Sequence, residues 1–404
     1  MKWLIPENEI DIQQREFLDS LITNTNQKLI DGFPGSGKTI LLLFAAKRLK
    51  EKDPNFRILF IEFTHSLIKM LTASIRELHI KDIEVVTYYE FKKRTHGVGV
   101  DYDYILCDEV QDVPRMVLEA MKRSAKHVII AGDANQSIYE SDPKWNEPVC
   151  TRDDIKDVLN PDVTSLNIMH RLTKPIVKAV NCYLPEMNIL AGKYSMVKKN
   201  TQIRLWKSRN QREEVRHIMD EAIDDVHNGK SVGILLPTHD KLKAFANFVL
   251  INAQHESWEC KNNKYGGPDY SDLNKYFTKC DVPIQCVVNG YGDFLAPGNK
   301  ITLITYHSAK GLDFDNVFLP FCNEIAYAGN TMSKRLFMVA MTRSRENLFI
   351  SYSANHMNQW VKTFCEQCSY KNWDDEGMQP LFPSETSTVP AQTNTDDDSS
   401  LFGF

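Results

Sequence analysis

Eight residues, Gly32-Phe33-Pro34-Gly35-Ser36-Gly37-Lys38-Thr39, have the types and spacing needed to wrap a polyphosphate. They fit G-x-x-x-x-G-K-[ST], follow the apolar Leu29-Ile30 and precede the helix-like stretch from Ile40 to Ala46. Glycines let backbone N–H groups turn inward around a β-phosphate, and a helix N-terminus adds favourable partial charge. In that setting Lys38 reaches the β- and γ-phosphates and Thr39 ligates Mg²⁺. The competing explanation is a chance glycine-rich turn. Average composition produces this pattern in roughly one chain of this length in a hundred, and the strand and helix flanks weaken that explanation further. The loop predicts a site that binds and hydrolyses ATP.

Hydrolysis needs a carboxylate for Mg²⁺ and a base for the attacking water, both at the end of a strand beside the loop. The stretch Tyr104-Ile105-Leu106-Cys107-Asp108-Glu109-Val110-Gln111-Asp112 offers both. Asp108 is assigned to Mg²⁺ and Glu109 to the water. Standing alone, the stretch would read first as a solvated acidic strand end. It is followed, after another apolar run, by Gly132-Asp133-Ala134-Asn135-Gln136-Ser137-Ile138-Tyr139.

These residues need a scaffold of strands and helices. Arg57 to Ile61, Tyr104 to Cys107 and His127 to Ala131 are short apolar runs of the kind that become buried parallel strands. A helix-like stretch from Ser66 to Leu78 lies between the first two. The same grammar returns with Ser231 to Leu236, Ile301 to Thr305, Asn316 to Leu319 and Asn347 to Ile350. Strands alternating with helices argue for doubly wound α/β layers. Residues 252–298, rich in Asn, Gly, Asp and Tyr, break the pattern and read as a small irregular insertion.

With these segments in order, the chain resembles superfamily-1 helicases, most closely their UvrD/Rep/PcrA-like branch. Asp108-Glu109-x-Gln111-Asp112 resembles the family's Walker B segment. Gly132 to Tyr139 resembles its nucleotide-sensing segment, with Gln136 at the γ-phosphate. Ile12-Gln13-Gln14-Arg15-Glu16 is similar to the adenine-reading motif, with Gln14 in the reading position. Thr305-Tyr306-His307-Ser308-Ala309-Lys310-Gly311-Leu312-Asp313-Phe314 is the second most specific match; Gly311 and Asp313 belong to the nucleotide site there, Asp313 meeting the ribose. Leu166 to Arg171 and Val339 to Arg345 resemble the segments whose arginines, here Arg171 and Arg343, reach the γ-phosphate. Charge developing on phosphoryl oxygens supplies the physical reason for cations from outside the loop.

The resemblance covers residues 10 to 352 and implies two tandem RecA-like P-loop domains with parallel sheets and the ATP site between them. The expected division is an N-terminal domain over 1–160, a C-terminal domain over 161–370 and a disordered acidic tail over 371–404. The resemblance also places Phe63-Thr64-His65, Tyr88-Tyr89, Tyr139 and His307 on single-stranded DNA. The physical need there is aromatic faces for bases and donors for phosphates. Core aromatics at strand ends are an equally good account of any one of them.

The chain departs from the family in three ways. Only sixteen residues separate Phe91 from Asp108, and the stretch near 252–298 is short, so the two large inserted subdomains are missing. Ser141 stands two residues after Tyr139, where relatives stack a tryptophan on a base; Trp145 lies close by at a different spacing. His170 stands where relatives stack a tyrosine on adenine. The leading expectation is a DNA-dependent ATPase that moves along single-stranded DNA, with the 3′ to 5′ polarity of the branch. The alternative is a nucleotide-switched adaptor that regulates a partner such as a nuclease, without unwinding duplex alone.

Composition sets the outer bounds. The chain has 404 residues, 42% hydrophobic and 25% charged, with a net charge of −5. Residues 371–404 hold seven acids and one base, which leaves 47 bases against 46 acids in the body. A local basic groove is thus permitted. No run of about 18 apolar residues occurs, so no membrane span is expected. Nine cysteines lack framework spacing, and the start lacks a signal-like stretch, so a cytoplasmic location is expected. The lone Cys365-x-x-Cys368 pair has no partner pair at zinc spacing. The terminal Asp396-Asp397-Asp398-Ser399-Ser400-Leu401-Phe402-Gly403-Phe404 reads first as a solubilising tail. It is also similar to the tips by which bacterial single-strand-binding proteins and sliding-clamp ligands dock partners.

Overall fold

The computed structural model describes residues 4–63, 65–94, 102–133, 137–142, 145–194, 201–263, 267–288, 290–293, 300–323 and 331–373. The first half runs α1 (Ile12–Thr23), β1 (Lys28–Gly32), α2 (Lys38–Lys52), β2 (Ile58–Glu62), α3 (His65–Glu77), β3 (Ile83–Thr87), α4 (Tyr88–Arg94) and β4 (Tyr102–Cys107). It continues with α5 (Arg115–Ser124), β5 (Ala125–Gly132), α6 (Arg152–Leu159) and β6 (Asp162–Leu166). These six strands form one parallel sheet in the order β3-β2-β4-β5-β1-β6.

A small parallel pair, β7 (Ile168–Met169) and β8 (Lys193–Tyr194), flanks α7 (Lys174–Tyr183). The second half then runs β9 (Gln202–Ser208), α8 (Gln211–His227), β10 (Val232–Leu236), α9 (His239–Asn252), α10 (Tyr270–Lys279), β11 (Ile284–Cys286), β12 (Ile301–Thr305) and β13 (Phe314–Leu319). It ends with α11 (Thr331–Met341), β14 (Ser344–Ser353), α12 (Gln359–Lys362) and β15 (Ser369–Asn372). Seven strands make the second parallel sheet, ordered β11-β12-β10-β13-β14-β9-β15.

The apolar runs explain this layering. Every residue of β2, β10 and β12 is buried, as strands covered by helices on both faces must be. Such strands carry few polar side chains to choose a face, so crossover helices complete the core. The first sheet packs Phe17, Leu42, Phe44 and Phe60 on one side, and Val117, Leu118, Met121 and Ile155 on the other. The second sheet has one continuous core that also takes in Leu67 and Met70 of α3 and Ile138. The two sheets are therefore joined by apolar packing as well as by the site between them.

Two expectations are corrected. The stretch 252–298, read as irregular, holds α10, and its β11 is hydrogen-bonded to β12 as an edge strand of the second sheet. Tyr270, Leu273 and Phe277 anchor α10 in the core at one-face spacing. Residues 371–373, placed with the tail, belong to the edge of the second sheet. Lys371 and Asn372 pair with Trp206 and Lys207 of β9, and Lys371 Nζ lies 3.0 Å from the ring centre of Trp373. Edge pairing and a cation–π contact order a segment that composition alone marks as polar. Residues 374–404, with the candidate docking tip, lie outside the described residues.

Glu214 in the first turn of α8 shows what this packing costs. It is 1% exposed, and its Oε1 accepts from the Phe321 N–H at 2.8 Å and the Ser351 hydroxyl at 2.6 Å. Burial outweighs these bonds and pushes its carboxyl up from 4.5 to about 7. The folded state thus holds the proton more tightly than the unfolded chain does. Stability is lost as pH rises from 4.5 toward 7. Glu214→Gln should remove that dependence. Relative to wild type, the variant should gain up to about 3 kcal/mol between pH 5 and pH 8, read from chemical denaturation at each pH. Parallel pH profiles for the two proteins would refute the assignment.

Candidate active site

The loop predicted to hold phosphate joins β1 to α2, with Gly35 and Gly37 in left-handed conformations at φ 71° and 87°. A Cβ on Gly35 would lie 2.6 Å from the Arg171 Cβ, and one on Gly37 2.6 Å from Gln14 Nε2. Neither position has room for a side chain. Lys38 is buried at the start of α2, and its ammonium donates to the carbonyls of Gly32 at 2.8 Å and Phe33 at 3.3 Å. The Thr39 hydroxyl donates to the Asp108 carboxylate at the end of β4.

A cavity of about 240 Å³ opens over this loop. It brings together Gln14, Gly35, Ser36, Gly37, Lys38, Thr39 and Glu109 from the first half with His170, Arg171, Gly311, Asp313 and Arg343 from the second. Gly32 and Asp108 lie behind the lining, in contact with Lys38 and Thr39 respectively. Gln136 and Thr64 lie outside the described residues, as does the side chain of His65.

Gln14 and His170 share one organiser. Asp11 caps α1: its Oδ1 accepts from the Gln14 N–H at 2.9 Å, while Gln14 Oε1 accepts from the Asp11 N–H at 3.0 Å. Gln14 Nε2 then donates to the Ser36 carbonyl at 2.9 Å, and His170 Nε2 lies 2.7 Å from Asp11 Oδ2. A local capping box therefore fixes two side chains at one end of the cavity. Asp11 was not singled out from sequence, although Asp-x-x-Gln before an apolar helix is a legible cap.

The other end is crowded with cations. Arg343 is 3% exposed and is held by the carbonyls of Val339 at 2.8 Å and Leu312 at 3.2 Å and by the Thr342 hydroxyl at 3.0 Å. Burial, and then the neighbouring Arg171, push its guanidinium well below its usual value. Burial lowers Arg171 as well, against the pull of Asp313 and Glu109. Arg345, missed as a site residue, also lines the cavity, with long ion pairs to Asp313 at 3.8 Å and Asp315 at 3.5 Å. Among the described residues, its buried Nε and Nη2 meet no hydrogen-bond partner, and neither do Ser36 Oγ and Asp313 Oδ1. Several buried cations and orphaned donors around a loop of inward-facing amides suit a polyanion. The donor set therefore fits a nucleoside triphosphate.

The acids between these groups are tuned in opposite directions. Burial, and then Glu109 beside it, push the Asp108 carboxyl up to about 6. For Glu109, burial also favours the neutral form, but Lys310, Lys38, the Gln111 amide and Arg343 outweigh it and hold the carboxyl at about 2. Gln111 Nε2 donates to Glu109 Oε2 at 2.5 Å, and its Oε1 accepts from the Asp133 N–H at 3.1 Å. Lys310 is 2% exposed; it forms an ion pair with Asp112 and lies 3.4 Å from Glu109 Oε2. Asp112 in turn accepts from the Ile138 N–H at 3.3 Å.

The aromatic candidates form a row beside this network. Phe63 stacks on Tyr88 at 5.2 Å and on Tyr139 at 5.4 Å, and Tyr139 meets His307 at 5.7 Å across the two halves. Tyr89 lies 4.1 Å from Tyr88. Tyr88 departs from its expected role. It is buried, and its hydroxyl is bonded to Asp142, so it supports the row from beneath instead of presenting a face to a base.

Residues 14–142 match the AAA domain family, and residues 288–355 match the UvrD-like helicase C-terminal domain family. The chain is 26% identical over 157 residues to the ATP-dependent DNA helicase Rep of Buchnera aphidicola subsp. Schizaphis graminum (strain Sg), covering 36% of this chain. The match spans 23% of that relative's length. Among solved structures, that of PRRSV helicase aligns at 14% identity and a TM-score of 0.42, over 83% of this chain and 54% of the other.

Lys310→Ala leaves Asp112 and Glu109 buried without their shared cation. Breaking a buried pair from one side typically costs about 3–5 kcal/mol. A loss of that size is expected in urea denaturation at neutral pH. A loss below about 1 kcal/mol would mean the pair is solvated, as exposed pairs are.

Proposed function

We propose that this chain, a UvrD/Rep-like superfamily-1 protein, is an ATPase that couples hydrolysis to movement along single-stranded DNA. The observation that carries the reading is the shared cavity. Its loop and carboxylates come from the first sheet, and Arg171 and Arg343 come from segments beyond it. A site divided in this way is completed or broken by relative movement of its halves, which is what coupling to a track requires.

Each side chain has a task in this reading. The loop amides and Lys38 hold the β- and γ-phosphates, while Gln14 and His170 hold the base and Asp313 the ribose. Thr39 and Asp108, already hydrogen-bonded to one another, would hold Mg²⁺, which screens phosphate charge when bound. Glu109 orients the attacking water, and Arg171 and Arg343 stabilise charge on the transferring phosphoryl oxygens. A carboxylate held in its ionised form by Lys310 and Lys38 is a poor proton acceptor. Orientation of water is therefore the main contribution of Glu109 while Lys310 remains beside it. In a loose phosphoryl-transfer transition state, positioning and electrostatics supply most of the rate.

The polarity is proposed as 3′ to 5′. Phe63, Tyr89, Tyr139 and His307 supply the single-strand contacts. Steady-state ATPase should rise on adding a single-stranded oligonucleotide. Glu109→Gln should lower kcat by about 10²–10⁴ with nucleotide still bound, and Lys38→Ala should lose nucleotide affinity as well. Streptavidin should be displaced from a biotin at the 5′ end of a single strand and not from one at the 3′ end. No stimulation by any DNA would defeat the translocase reading while leaving an ATPase; the reverse displacement pattern would defeat the polarity.

A further inference from the structure

Helix α11 touches two places at once. At its C-terminal end the chain turns directly into Arg343, whose Nε donates to the Val339 carbonyl of the helix at 2.8 Å. Arg335 stands one turn before Val339, on the same face. It does not line the ATP cavity. Its Nη1 crosses to the first half of the chain and donates to the Ser137 carbonyl at 3.1 Å. Ser137 leads into the aromatic row. Its hydroxyl donates to the Tyr139 carbonyl at 2.8 Å, and the following N–H, that of Ile138, donates to Asp112 at 3.3 Å.

The helix between these contacts is packed into the core of the second sheet. Phe337 to Met341 are all buried. The Phe337 ring meets Tyr183 at 5.6 Å, Trp360 at 5.7 Å and Tyr306 at 6.4 Å, and the Tyr183 hydroxyl donates to the Met341 sulfur at 3.5 Å. A close-packed interior resists the movement of one turn without the next. Arg335 and the turn that holds Arg343 are therefore carried by one stiff element, about 6 Å apart along its axis. A guanidinium bound to a carbonyl is a charge-assisted contact, stronger than a neutral one. One end of α11 thus serves the phosphate end of the cavity, and the other grips the backbone that enters the aromatic row.

We propose that Arg335 is a positioning residue that couples nucleotide occupancy of the cavity to the strand-contacting row through the Ser137 carbonyl. This rests on the reading that the chain engages a single strand. The test measures binding of an oligothymidylate of about 16 nucleotides by fluorescence anisotropy, with and without a non-hydrolysable ATP analogue. The ATPase rate is measured beside it, with and without the same strand. In wild type the analogue should change strand affinity by at least about five-fold. Arg335→Ala should bring that ratio close to one and remove most of the stimulation by the strand. Its strand-free ATPase rate and its nucleotide-free strand affinity should stay within about two-fold of wild type. Arg335→Lys keeps a donor and should retain part of the ratio. A tie that merely supports the fold would instead lower the strand-free rate and the nucleotide-free affinity together, and that result would overturn the proposal. So would a wild-type ratio persisting in Arg335→Ala. A wild type whose strand affinity ignores the analogue and whose ATPase ignores the strand would overturn the single-strand reading itself.

Discussion

A lysine ammonium with almost no exposed surface must recover in contacts what it loses in hydration. Lys310 does so between Asp112 and Glu109, two carboxylates supplied by the other sheet. The pair closes the site from behind, keeps Glu109 ionised and ties the segment after β12 to the segment after β4. Remove the cation and Glu109, Asp112 and Asp108 become a buried acidic cluster with too little counter-charge. Glu62 illustrates that danger. It ends β2 one residue after Ile61, the partner of Cys107, and burial, then Asp108, push its carboxyl well above the usual range. Lys310 answers for Glu109 and Asp112, and Lys38 with the Thr39 hydroxyl for Asp108.

The segment from Thr305 to Phe314 reaches both the cavity and the aromatic row. His307 touches the aromatic row, Lys310 holds Glu109, and Gly311 and Asp313 line the cavity. On the facing side, Asp112 holds both Lys310 and the Ile138 N–H, one residue before Tyr139. The aromatic row is therefore linked through contacts to the groups that set the charge on Glu109. This is a contiguous hydrogen-bonded path only a few residues long, and it needs no remote transmission through the sheets.

Much of this was legible because its causes are local. The loop at Gly32 to Thr39 is a local conformational demand, and the apolar runs near β2, β10 and β12 can only be buried strands. The helix read from Ser66 to Leu78 appears as His65–Glu77. What stayed hidden is nonlocal. Gln14 was placed at the base, but its bond to the Ser36 carbonyl depends on how α1 lies on the loop. Lys310 looks like any strand-end lysine until the second sheet brings it to Asp112. In the stretch 252–298 the apolar positions of α10 were visible but diluted by Asn, Gly and Asp, and β11 is too short to carry a period.

The aromatic row shows how a spacing can mislead. Linear distance from Tyr139 marks Ser141 as the position for a stacking ring and Trp145 as displaced. The chain does not run straight there. The bridge between Ser141 and Pro148 folds the segment back, so Trp145 returns to Tyr88 and Tyr89, and Ser141 is committed to the bridge. Asp142 holds the fold-back in place, its buried carboxylate taking two phenols and a backbone N–H together. A ring displaced in sequence is thus returned to its aromatic neighbours by a turn, and a buried polar group holds the detour in place.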